Sequence, residues 1–511
     1  MTRNRPPLAL VVPAAAAALV AVTPIWYLVD RSLERGWGQV REELWRRRTF
    51  DLVARSLGLT AAVTIASVLL GVTAAWLVVR SDLPGRRALR VAFTLPLAIP
   101  SYLAAFAWIS WRPGLAGFSG AALVLTLVSY PYVMLPAMAA LSRLDPAQDD
   151  VARSLGRSRL SVALRLTLPQ IRTSVAAGAL LVALYVLSDF GAVAAMRYEA
   201  FTWVIYGAYR AGFNPSRAAI LATVLVLLAL VLVVAESRAR GRASARVGSG
   251  TPRASTPVPL GRATPLAFAF SAAVLVPALG FPLWRISEWV RTYASTDVDL
   301  GDVFSALRQT LMLAALAAIA TVALAFPAGV LAARSHSRLA RSLERATYVA
   351  HGLPGIVVAI SLVYVGVRLL RPIYLETPLL VLGYVVLFLP LAVGAVRSSV
   401  EQSPVRLEEV ARSMGNSQHA VLRKVTAPLA APGIGAGAAL VLLTTMKELP
   451  VTLVLHPTGT ETLATRLWRY TSVSDYANAG PYALALVAFA AVPTALLGAS
   501  FNGRRHGAGV Q

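Results

Sequence analysis

Twelve apolar runs follow one another along this chain. They lie at about 8–29, 58–79, 91–110, 120–141, 174–195 and 217–235, then at about 265–284, 310–333, 347–369, 378–396, 434–456 and 480–500. Runs of about 20 residues match the length a helix needs to cross a hydrocarbon core roughly 30 Å thick. In that medium every backbone N–H and C=O must find its partner within the protein, which leaves the helix as the economical solution. The expected fold is therefore an all-α polytopic membrane protein with about 12 transmembrane helices in two parallel six-helix halves. A soluble alternative is excluded by 57% hydrophobic and only 14% charged residues.

The net charge of +24 comes almost wholly from arginine, since Lys424 and Lys447 are the only lysines. In a soluble protein such a charge would suggest nucleic acid. Here the arginines sit between apolar runs, as the basic flanks of membrane helices do, so no nucleic-acid partner is expected and membrane lipid is. With the N-terminus inside, the basic loop 80–90 and the loop 143–172 are both cytoplasmic, and both termini are cytoplasmic. Residues 31–56 then form an external loop, which Arg46, Arg47 and Arg48 make unusually basic for that side. The absence of cysteine excludes disulfides and thiolate metal sites.

A second feature divides the chain. Residues 145–169 read DPAQDDVARSLGRSRLSVALRLTLP and residues 403–428 read SPVRLEEVARSMGNSQHAVLRKVTAP. Their glycines, Gly156 and Gly415, and their prolines, Pro169 and Pro428, recur at one offset (415 − 156 = 428 − 169 = 259). Leu95-Pro96 aligns with Leu353-Pro354, and Asp189 with Glu448, at nearly the same offset. The chain thus reads as a duplication. Residues 1–235 form a first half with its loop at 143–172, 236–264 an Arg/Ser/Gly/Pro linker, and 265–511 a second half with its loop at 397–428.

Each repeated segment begins with Asp-Pro or Ser-Pro, an N-cap followed by proline at the first helical position. Asp149–Arg153 and Glu408–Arg412 are then i,i+4 pairs, and Val151 with Leu155, like Val410 with Met414, forms a narrow apolar stripe. Gly156 and Gly415 end the helix in the left-handed region that glycine tolerates, and a second short helix runs to the proline.

These residues resemble the cytoplasmic loop of permease subunits in binding-protein-dependent ABC importers, whose pattern is Glu-Ala-Ala, three residues, Gly, nine residues and Ile-x-Leu-Pro. The matching positions are Asp150, Ala152, Gly156 and Pro169 in copy one, and Glu409, Ala411, Gly415 and Pro428 in copy two. Asp150 replaces glutamate, Val151 and Val410 replace the first alanine, and Ala427 replaces leucine. The resemblance implies that each elbow couples to one of two copies of a cytoplasmic ABC ATPase, and that an external solute-binding protein delivers the substrate. The stretches 95–108, 129–136, 188–193 and 446–468 resemble, more closely, the fused permeases of the ferric-iron import group, with thiamine and phosphonate permeases as relatives that share part of them. The implied localisation is the bacterial cytoplasmic membrane.

Ionisable residues deep in apolar segments are functional suspects, and Asp189, Lys447 and Glu448 hold that position here. Pro450 is expected to break the helix beside Glu448, and Pro96 and Pro354 to interrupt the third span of each half, so these six residues are candidates for the translocation pathway or its gate. The five histidines are scattered and mark no metal cage. No catalytic grouping appears, and neither lysine stands in a phosphate-binding loop, so the chain is read as a non-enzyme with no cofactor of its own, ATP and Mg being bound by the partner ATPase. Twelve spans in two halves also describe an ion-coupled secondary transporter, but such a carrier has no need of paired elbows.

Overall fold

A computed structural model describes residues 8–211, 215–239, 257–293, 300–335 and 337–500. Most of the linker, at 240–256, lies outside the described residues. The described chain is helical; its only extended pairing is a single parallel bridge between Ser81 and Val258.

Ten helices are long and apolar enough to span a membrane, eleven if one bent pair counts as a span. Two of the twelve expected spans are the exceptions. The third span of the first half is the pair Arg86–Ala98 and Ser101–Trp111, bent by 88°. Its counterpart in the second half is the short helix Gly355–Arg368, which follows Arg338–Val349. Proline explains both: Pro100 is the N-cap of Ser101–Trp111, and Pro354 is the N-cap of Gly355–Arg368. Pro354 is therefore the structural counterpart of Pro100. Pro96, which the sequence aligned with it, lies one turn earlier in the short 3₁₀ segment Leu95–Ala98.

The external loop expected at 31–56 is largely helical, with Trp37–Leu44 followed by the start of Arg47–Arg80. No glycine or proline occurs between Gln39 and Ser56, and the helix of the second span already begins at Arg47.

Packing divides the chain into two compact units that do not follow the two sequence halves. The first comprises Met1–Leu44, Ile205–Val226 and Asp299–Arg469. There Ala14, Ala17 and Ala21 of the leading helix are fully buried in one core with Leu313, Ala317 and Leu331, small side chains that let helices approach closely. The second comprises Trp45–Val204, Leu227–Val298 and Tyr470–Gln511. In it Phe281–Tyr293 lies along the final helix Tyr476–Ser500, with Trp289 stacked on Tyr476 at 5.0 Å and Phe281 stacked on Trp108 at 4.1 Å. Each unit thus recruits its first helix from the other half of the sequence. Large apolar side chains such as Leu19, Ile65, Leu69 and Ile319 remain exposed on the spans, as a lipid-facing surface requires.

Candidate functional site

Both repeated segments form the expected helix–Gly–helix elbow. In elbow one, Pro146–Ser154 starts with the Asp145 carboxylate accepting from Ala147 N at 3.0 Å. It ends at Gly156, φ +79°, with Arg157 N donating to Ala152 O at 3.2 Å. In elbow two, Val405–Ser413 ends at Gly415, φ +82°, with Asn416 N donating to Ala411 O at 3.2 Å. Both ends have the hydrogen bonding of a glycine-terminated helix. Ala152 and Ala411 supply carbonyls to those bonds. A Cβ at either glycine would meet nothing within 4 Å, so inside this chain the requirement for glycine is one of backbone conformation.

Two local expectations are corrected. Elbow two starts one residue later than its Ser-Pro suggests: Pro404 is the N-cap, and the Ser403 hydroxyl donates back to Ser399 O at 3.1 Å, closing the preceding helix Thr377–Gln402. Nor does the second short helix stop at the proline. Arg159–Val162 and Gln418–Val421 each pass through a π turn, Ala163–Thr167 and Leu422–Thr426, into the long helices Leu168–Ser188 and Ala427–Met446. Pro169 and Pro428 sit in the first turn beyond it. The wider turn relieves the clash between a proline ring and the carbonyl four residues back.

The acids of the elbows reach further than one helical turn. Asp149 forms an ion pair with Arg80, the last residue of Arg47–Arg80, whose guanidinium is almost wholly buried. Glu408 is the counterpart: Arg334, the last residue of Leu300–Arg334, donates to its Oε1 from Nε at 3.0 Å and from Nη2 at 2.8 Å. Arg334 also reaches Ser403 O at 3.0 Å, and Thr426 Oγ1 donates to the same Oε1 at 3.1 Å. The expected i,i+4 pair of Glu408 with Arg412 is present only at 4.0 Å. Each elbow is therefore bolted to the end of its half's second span. These arginines were absent from the sequence reading, although each stands at the end of a long apolar run and could have been sought there as a partner for an acid.

With one acid of each pair turned inward, the apolar stripe faces out. Val151 and Leu155 are 59% and 76% exposed, and Val410 and Met414 are 55% and 76% exposed. Elbow one also borders a shallow concavity of about 410 Å³ lined by Ala147, Gln148, Val151, Ala152, Leu155 and Leu166. Glu409 is exposed beside its stripe, while the side chain of Asp150 lies outside the described residues. An exposed apolar stripe on a polar elbow is suited to a protein partner.

The second constellation is a helix break repeated in both halves. Leu168–Ser188 ends before Asp189, and the short helix Gly191–Ala195 follows. The Asp189 carboxylate accepts from Ala192 N at 2.8 Å and Val193 N at 3.4 Å through Oδ1, and from the Ser101 hydroxyl through Oδ2. Ala427–Met446 likewise ends before Lys447-Glu448-Leu449, and Pro450–Leu455 follows. Glu448 accepts from Val451 N at 2.9 Å and from Thr452 N and Oγ1 at 3.0 and 2.9 Å; Tyr384 OH lies 2.8 Å from that same hydroxyl. Pro450 opens the short helix, where its missing N–H costs nothing. Lys447 is half-buried, its backbone N–H bonded to Thr444 O at 3.3 Å. Both carboxylates are thus caps of the post-break helix.

In both halves the carboxylate lies against the kink of the third span, and in the first half it is hydrogen-bonded to it. In the first half Ser101, at the start of the bent helix, donates to Asp189. In the second half the matching place is taken by Gly355, where a Cβ would stand 3.0 Å from Glu448 Oε1 and 3.4 Å from Pro450 Cβ. A longer acid thus meets a residue without a side chain, and a shorter acid meets serine. Among the described residues no group of three His, Cys, Asp or Glu side chains is arranged to hold a metal ion.

A family model described as "Binding-protein-dependent transport system inner membrane component" matches residues 67–237 and 325–503, which include both elbows and both breaks. The chain belongs to this family. It is a permease subunit of binding-protein-dependent ABC transport and an integral inner-membrane protein. Among its relatives is the Fe(3+)-transport system permease protein FbpB 2 of Haemophilus influenzae, 34% identical over 499 residues, 97% of this chain and 98% of the relative. The sulfate transport system permease protein CysT of Escherichia coli is 24% identical over 228 residues, covering 40% of this chain and 82% of its own length. The molybdate/tungstate permease protein WtpB of Thermococcus kodakarensis is 27% identical over 150 residues, 29% of this chain and 61% of its own.

Proposed function

We propose that this permease carries ferric iron across the cytoplasmic membrane, receiving it from an external solute-binding protein and driven by two copies of a separate cytoplasmic ATPase. Full-length similarity to an Fe(3+) permease is the observation that carries the substrate assignment. The sulfate and molybdate relatives align over less than half of this chain. The two halves, 1–235 and 265–511, are read as parallel repeats joined by the cytoplasmic linker 236–264, with both termini in the cytoplasm.

In this reading each elbow seats its apolar stripe in one ATPase subunit, with Asp150, Ala152, Gly156 and Pro169 in one and Glu409, Ala411, Gly415 and Pro428 in the other. Closure of the ATPases on ATP then pulls on the elbows. Because Arg80 and Arg334 bolt the elbows to the second spans, that motion passes directly into the membrane helices and opens the passage alternately outward and inward. Asp189, Lys447, Glu448 and Pro450, together with Pro96 and Pro354, shape the gate by fixing the breaks in the third and fifth spans. The carboxylates of Asp189 and Glu448 accept from the backbone N–H groups just beyond each break.

The test is uptake of radiolabelled ferric iron under iron limitation in cells with and without the chain, with labelled sulfate, molybdate, thiamine and aminoethylphosphonate alongside. Loss of iron uptake alone is the expected result. Loss of another uptake instead would overturn the substrate and keep the importer.

A further inference from the structure

The end of the linker is tied to the turn that carries Arg80. Val258 N donates to Arg80 O at 2.7 Å, and Asp82 N donates to Val258 O at 3.2 Å, forming the one parallel bridge described in the chain. Two residues on, Leu260 N donates to the Asp82 carboxylate at 2.8 Å. Beneath this strap Leu83 is buried at 1% exposure, packed with Ala267 and Leu260. Arg86 Nη1 closes the turn from the other side by donating to Ser81 O at 2.9 Å.

The main chain of Arg80 is therefore held by the linker while its side chain holds Asp149 of elbow one. Elbow two is built differently. Its arginine, Arg334, has the carboxylate of Glu408 from two nitrogens and a carbonyl of the elbow besides, and the turn after it is closed by Ser335 and Ser337 hydroxyls 3.1 Å apart. No described linker residue takes part there. An arginine with several partners on the elbow is fixed by the elbow itself. An arginine with one carboxylate partner among the described residues of its elbow, as Arg80 has, depends more on where its backbone is held.

We propose that Val258 and Leu260 are positioning residues for elbow one: the linker acts as a strut that sets Arg80, and through Arg80 the angle at which elbow one meets its ATPase. Fusion of the two halves thereby makes the two ATPase contacts unequal, one self-supporting and one supported by the connecting segment. The inference rests on reading the elbows as ATPase docking faces.

The chain contains no cysteine, so single reporter cysteines can be introduced without a background. The experiment uses the full transporter in proteoliposomes, with L155C or M414C in the permease and a cysteine in the ATPase groove. Three strap variants are compared. V258P deletes the N–H that bonds Arg80 O, D82A deletes the acceptor for Leu260, and V258A leaves the backbone bonds intact. With V258P and D82A, cross-linking through L155C should slow about two- to tenfold, the range that loss of one hydrogen bond allows. Cross-linking through M414C should not change, iron delivered per ATP hydrolysed should fall, and V258A should behave as the parent. Equal slowing at both elbows would reduce the strap to general stability and overturn the proposal, as would no slowing at either. If neither reporter cross-links even with an unaltered strap, the docking reading itself fails and takes the strut with it.

Discussion

Replacing the two break carboxylates by their amides should have unequal effects, and the difference follows from which oxygen each donor uses. Val451 N points at Glu448 Oε1 and Thr452 N points at Oε2. Glutamine keeps a single oxygen, so whichever way its amide faces, one backbone N–H confronts an NH₂ group. Both donors belong to buried residues that water does not reach, Val451 at 0% and Thr452 at 1% exposure. Leaving one unsatisfied costs about 1–3 kcal/mol. Asp189 is arranged otherwise: both backbone donors share Oδ1, and among the described residues Oδ2 meets a serine hydroxyl alone. In D189N the oxygen stays with the backbone, and the Ser101 hydroxyl turns to accept from the new NH₂, so the cost should stay below about 1 kcal/mol. Reversible unfolding of the purified permease in mixed micelles measures both. Equal losses, or a greater loss for D189N, would refute the view that these acids serve as helix caps.

Four further outcomes are expected. G355S alone should destabilise the second half, because the new side chain starts 3.0 Å from Glu448 Oε1, whereas G355S with E448D, which transplants the first half's pair, should recover most of the loss in the same assay. R334A strands the buried Glu408 carboxylate and should cost about 3–5 kcal/mol with earlier proteolysis at elbow two, while R412A, whose exposed guanidinium stands 4.0 Å from that same carboxylate, should cost less than about 1 kcal/mol. At Gly415 the left-handed backbone with empty space around it predicts a loss of about 1–2 kcal/mol for G415A and a smaller one for G415N, read as stability without the ATPase present. A docking role adds a second signature, since G415W should abolish ATPase co-purification beyond its effect on stability; unchanged co-purification and uptake would end that role.

Much of this was legible in the residues. Helical spans follow from the length of apolar runs, and the elbows from a capping residue, an apolar stripe and a glycine that recur together. What stayed hidden involves partners far apart in sequence. Asp149 and Glu408 looked committed to arginines one turn away because only those lay within reach of a local pattern. Their actual partners, Arg80 and Arg334, are separated from them by two membrane spans. Asp189 and Glu448 stood out because a charge at that depth signals function, but their capping role was hidden, since the N–H groups they cap are free only where the helix breaks beside them. The π turns were invisible for a different reason: a proline reads as a stop, and nothing local tells that the preceding turn widens to let the helix continue. The offset itself misled at Pro96, because the spacing between counterparts differs on the two sides of the third span, so that Pro100 is the counterpart of Pro354.

The exchange of leading helices has a consequence for how the protein is made. Ala14, Ala17 and Ala21 are inserted at the start of synthesis, but the buried neighbours they are shaped to meet, among them Leu313, Ala317 and Leu331, emerge about 300 residues later. Until then a helix with a polished alanine face must wait in the lipid, and the second unit waits in turn for Tyr476–Ser500. The first unit cannot close until the second half of the chain is made. A messenger truncated after the linker therefore yields a leading helix whose alanine face has no partners.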